Sequence, residues 1–81
     1  MENIISLDTA LAIVGALKVN AIKEMKVAQN QEEIDKLDSK IDMYLNEERI
    51  LYGSDELLKL TIYDKIINYY SPLVKRINGF A

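Results

Sequence analysis

The stretch TIYDKIINYYSPLVKRI, Thr61 to Ile77, holds three of the chain's five tyrosines, Tyr63, Tyr69 and Tyr70, just before its only proline, Pro72. Nothing in it alternates apolar and polar residues as a half-buried strand does. Leu60, Ile62, Tyr63, Ile66, Ile67, Tyr69 and Tyr70 instead recur at helical spacing and cover about half of a helix circumference, leaving a narrow polar strip of Thr61, Asp64, Lys65 and Asn68. One neighbour in a simple bundle buries less than that. Ser71-Pro72 then reads as the N-cap and first residue of a new short helix. Leu73, Val74 and Ile77 give that helix an apolar side, and Gly79 ends it. A proline kink within one longer helix is the competing reading.

Upstream, Tyr52-Gly53-Ser54-Asp55-Glu56 is the sharpest boundary in the chain. Gly53 suits a left-handed position after a helix, Ser54 an N-cap, and the two acids the next first turn. The preceding helix carries Ile34, Leu37, Ile41, Tyr44 and Leu51, with Leu45 and Tyr52 beside them. Asn30 followed by Glu33 marks its start as a capping pair. A first helix opens at the N-cap Ser6 with Asp8 in its first turn. Its stripe is Leu7, Leu11, Val14, Ala21, Met25 and Ala28, flanked by Ala10, Leu17 and Ile22, and Lys18 within it is read as lying along apolar surface with its ammonium in water. On one straight helix these two stripes face nearly opposite sides, at about 100° per residue. A turn near Gln29–Gln31 lets both meet one core. The pattern thus predicts a single all-α domain over 1–81: a three-helix bundle with helices at about 6–29, 31–52 and 55–70, and a short fourth helix at about 72–78.

The chain has 81 residues, near the lower limit at which one core is comfortably stable. Small domains compensate with disulfides, metals or association. Cysteine and histidine are both absent, which removes disulfides, thiolate chemistry and the usual zinc sites. Association and close helix packing remain. With 49% hydrophobic and 28% charged residues, the composition is that of a folded chain rather than a disordered one. The N-terminus has Glu2 and no basic cluster, unlike a secretory signal. The uncharged run Thr9–Leu17 is far shorter than the ~20 residues that span a bilayer. The expectation is a soluble, cytoplasmic protein with no membrane partner.

The net charge of −3 is unevenly spread. Residues 1–30 balance, residues 31–60 carry nine acids against four bases, and the remainder is net +2. No basic stripe marks a nucleic-acid footprint, so no direct nucleic-acid binding is expected. Lys75-Arg76 is small and sits late in a helix, where the dipole favours cations. Asp35, Asp38 and Asp42 share one helix side, which can recruit a hard cation if other oxygens join. No calcium-loop pattern is present and Lys36 and Lys40 interleave, so they read as a solvated, salt-bridged face.

A catalyst here has only Asp, Glu, Lys, Tyr, Ser and Thr to work with, and neither a glycine-rich phosphate loop nor a nucleophile elbow is present. The sequence therefore points to a non-enzymatic helical interaction module without cofactor or metal. It is expected to self-associate, as a dimer first, and to act by binding another protein. A phage or mobile-element regulator or inhibitor fits. The expected anchors are Tyr63, Tyr69, Tyr70 and Leu73, because tyrosine offers large contact area with few torsions to freeze. A structural subunit of a larger phage-like assembly, and an acidic blocker of a nucleic-acid-binding site, are the alternatives.

Overall fold

The computed structural model describes residues 5–77, and all the regular structure among them is helical. Helix α1 spans Leu7–Lys26 and α2 spans Gln31–Tyr52. The third helix, α3, is built of three joined pieces: α-helical Glu56–Lys65, one π-helical turn Ile66–Tyr70, and α-helical Ser71–Ile77. Helices α1 and α2 form the most extensive pairing, an antiparallel hairpin. The first piece of α3 packs on α2, while its π turn and last piece pack on α1, so α3 crosses the hairpin from one helix to the other.

Local chemistry sets most boundaries. Ser6 accepts a hydrogen bond from the Thr9 N–H at 3.1 Å, and Asn30 accepts from the Glu33 N–H at 2.8 Å. Each satisfies a backbone donor that the first helical turn leaves open. The turn between α1 and α2 falls where the opposed stripes require it, though α1 ends at Lys26, earlier than about residue 29. The α2–α3 boundary differs from expectation in two details. Gly53 is extended, with φ −81° and ψ −170°, rather than left-handed. The cap is Asp55, not Ser54; its carboxylate accepts from the Leu58 N–H at 3.2 Å.

The separate fourth helix is not seen; Ser71-Pro72 lies inside α3. A capping residue needs extended backbone, as Ser6 has at ψ 159° and Asn30 at ψ 162°. Ser71 instead has helical φ −62° and ψ −47°. Pro72 lacks an amide hydrogen, and its ring presses on the carbonyl four residues back. The helix widens just before it: the Ser71 N–H donates to the Ile66 carbonyl, five residues back rather than four. Gly79, the expected stop, and the end of the expected range lie outside the described residues.

The core is Ala10, Val14, Leu17 and Ala21 from α1, Leu37, Tyr44 and Leu51 from α2, and Ile62, Ile66 and Tyr70 from α3. The buried face of α1 thus takes Val14 and Ala21 from the expected stripe and Ala10 and Leu17 from its flank, with Leu7 and Ile22 toward solvent. Small Ala10 and Ala21 let α2 approach there. Gly15 takes no such part, since a Cβ on it would meet only Glu48 Oε2, at 3.6 Å. Lys18 also differs from its reading: its ammonium is paired with Glu48 at 2.8 Å.

The caps give a discriminating prediction. Asp55→Ala is expected to cost about 1 kcal/mol of stability, whereas Ser54→Ala stays within about 0.5 kcal/mol. Urea denaturation of both variants checks this, and a larger loss for Ser54→Ala than for Asp55→Ala would place the cap at Ser54.

Candidate interaction surface

Helix α3 has two faces, fixed by one buried acid on α2. Glu47 is only 4% exposed, and it follows Tyr44 by three residues and precedes Leu51 by four, so it lies on the core stripe. A carboxylate in that position is costly unless it is paired and hydrogen-bonded. The Tyr70 hydroxyl donates to its two oxygens at 2.9 and 3.1 Å, and Lys65 Nζ donates to Oε2 at 2.7 Å. The same ammonium lies 5.3 Å from the centre of the Tyr70 ring, within cation–π range. Tyr70 meets Tyr44 edge to face, with centroids 5.7 Å apart and planes at 75°. Burial, then the hydrogen bond to Glu47 and its charge, push the Tyr70 hydroxyl far above the usual tyrosine range. Burial and then Glu47 raise Tyr44 as well, with Lys65 opposing.

The π turn keeps Tyr70 over this acid. Residues four apart advance about 40° around a straight α-helix. Ile62, Ile66 and Tyr70 would then spiral away from the hairpin. A π turn has more residues per turn and takes that advance back. All three residues are buried.

The opposite face of α3 is uncovered among the described residues. Leu57 is 77% exposed, Leu60 62% and Ile67 37%, and with Asp64 they follow 3-4-3 spacing along one line. Tyr52, at the end of α2, and Tyr69, beyond Asn68, are also exposed. Asp64 is engaged sideways, its carboxylate accepting from the Asn68 amide at 2.9 Å, and the Thr61 hydroxyl donates to the Leu57 carbonyl at 3.1 Å. Apolar residues in line on one helix face mark contact sites more often than scattered ones do.

The four expected anchors separate. Tyr69 lies on the surface. Tyr63 is half-buried at the edge of the outward line. Tyr70 belongs to the core, its hydroxyl held by Glu47, and offers a partner nothing. Leu73 is half-buried and, with Ile77, forms one wall of a groove of about 170 Å³, floored by Leu17, Ala21 and Tyr44. On α2, Asp35, Asp38 and Asp42 are exposed, and no group of three or more acids among the described residues is arranged to hold a metal ion. No helix among them is long and apolar enough to cross a membrane. Sequence reasoning missed Glu47 and Lys65, although the place of Glu47 between Tyr44 and Leu51 on the stripe was a readable signal.

Comparison with protein-family models, curated proteins and solved structures gives no match.

The buried cluster has a pH signature. A raised folded pKa means that Tyr70 contributes its stability below pH ~10, the unfolded value, and loses it as pH climbs through the higher folded value. Alkaline unfolding followed by circular dichroism should therefore track tyrosinate absorbance, and Tyr70→Phe should weaken that coupling. At pH 7 the same variant is expected to cost about 1.5–3 kcal/mol, the worth of a hydrogen bond to a charged group. A smaller loss than Ser54→Ala would show that the Glu47 contact contributes little.

Proposed function

We propose that this protein is a non-catalytic helical interaction module that acts by docking the outward face of α3 onto another protein. The observation that carries the reading is the line Leu57, Leu60 and Ile67, left exposed on a helix whose other face already holds the core. Tyr69 and Tyr52 are exposed as well, and aromatic rings of this kind anchor interfaces by filling partner pockets. The inward Ile62–Ile66–Tyr70 face holds α3 rigid, so little order is lost on docking.

A regulator or inhibitor of phage or mobile-element type fits a small chain that offers a surface and has neither histidine nor cysteine. The Ile, Lys, Asn and Tyr content, typical of an AT-rich genome, agrees with such a source. The reading as an acidic blocker of a nucleic-acid site has one observation in its favour. Exposed Glu32, Glu33, Asp35, Asp38 and Asp42 line α2, and the only ion pair among them within the described residues is Lys36 with Glu32, at 3.8 Å. A structural subunit of a larger assembly would use the same α3 surface but form higher-order or ring-like complexes.

Affinity capture from native cells, comparing three forms of the chain, separates these readings. A partner retained by the wild type, lost by Leu60→Lys and kept by combined reversal of Glu32, Asp35, Asp38 and Asp42 supports docking through α3. The opposite pattern supports the acidic blocker. Leu60 is exposed, so its substitution is expected to leave stability within about 0.5 kcal/mol.

A further inference from the structure

Leu73 and Ile77 wall a groove of about 170 Å³ between the last piece of α3 and the hairpin, with Leu17, Ala21 and the Tyr44 ring beneath. A cavity of about 150 Å³ lined by apolar side chains takes up benzene, so this groove has the size of one aromatic ring. Ile77 is also the last described residue. Three positions on is Phe80, the only phenylalanine of the chain. We propose that the Phe80 ring seats in this groove and closes the end of α3 against the hairpin.

The chain after Ile77 has the length and the direction for this. Three residues span at most about 11 Å, and the Ile77 side chain is itself part of the wall. Phe80 follows Leu73 by seven residues, so a continued helix puts both on one side, and helical side chains lean back toward the N-terminus. A stop at Gly79 gives the same side. The residue after a terminating glycine packs back onto the last turns of its helix, where Val74 lies against the core. The groove suits an apolar group. No buried side-chain nitrogen or oxygen among the described residues lacks a hydrogen-bond partner, and at the rim the Asn20 amide donates to Glu24 at 3.4 Å. Lys40, also at the rim, can lie over the face of a ring. A ring tethered three residues away competes at an effective concentration of about millimolar, ahead of a free aromatic group. Leu73, expected to anchor a partner, is thereby engaged by its own chain.

The chain has no tryptophan, so Phe80→Trp places a single reporter at the position in question. Its emission should be blue-shifted and protected from acrylamide. Adding Ile77→Gln, which removes one apolar wall at a residue already 43% exposed, should shift the emission toward that of a ring in water while the helical spectrum is kept. In urea denaturation Phe80→Ala should raise the unfolding equilibrium constant about tenfold, as expected for a ring largely removed from water. Benzene should restore the stability of Phe80→Ala by filling the emptied groove, and should leave the wild type unchanged. Water-like emission of Phe80→Trp together with unchanged stability of Phe80→Ala overturns the proposal. Blue-shifted emission that ignores Ile77→Gln places the ring elsewhere and overturns it as well. Benzene that stabilises the wild type as much as Phe80→Ala shows an open groove, with the same consequence. Emission that depends on protein concentration puts the ring in the groove of a second copy and overturns seating within one chain.

Discussion

The carboxylate of Glu47 is the constraint on which the arrangement of α3 depends. It sits on the core stripe of α2, so folding removes it from water. Neither α1 nor α2 supplies its hydrogen-bond donors; both come from α3, as the Tyr70 hydroxyl and the Lys65 ammonium. A half-satisfied buried acid is worse than an apolar residue of the same size. The third helix therefore has one productive seat, with Lys65 and Tyr70 both over the acid. Five residues separate these two donors in sequence. In a straight α-helix that separation leaves them on opposite edges of the contact, and the π turn between them brings both to bear.

This explains which features were legible in the sequence. The Ser6 and Asn30 caps and the bounds of α2 are local, set by side chains within three residues of the groups they serve, and a single sequence displays them. The Ser71-Pro72 pair also carries a local signal, for a helix start, and there the local signal loses. A regular α-helix ending at Tyr70 would turn Tyr70 away from Glu47. Continuing the old one loses the hydrogen bond that Pro72 cannot donate, and the widened turn accommodates the ring. The preference was set by a residue more than twenty positions upstream, which no local window contains. Glu47 itself was visible as an acid on an apolar stripe. Its partners were hidden because Lys65 reads as part of a polar strip until the packing of α3 is known.

The tyrosines show the same division. Spacing placed Tyr63, Tyr69 and Tyr70 within one wide apolar arc, with Tyr69 at its edge, and could not tell whether Tyr63 and Tyr70 faced inward. The π turn decides it. By slowing the rotation of the helix it holds Tyr70 above the hairpin and leaves Tyr69 to one side, in solvent. A wide apolar arc thus became two faces separated by roughly half a turn, one for the chain's own core and one uncovered.

These faces are unequal in how they tolerate change. Leu57 and Leu60 lie before the π turn, on regular α-helix anchored by the Asp55 cap, and their direction does not depend on Tyr70. Ile67 lies within the π turn, and it is the least exposed member of the line. Straightening that turn shifts Ile67 relative to Leu57 and Leu60 at the C-terminal end of the line and leaves the other end intact. The buried acid on α2 therefore reaches the outward surface without touching it. It holds the turn that sets the phase of Ile67 against Leu57 and Leu60, so one end of that line depends on the core.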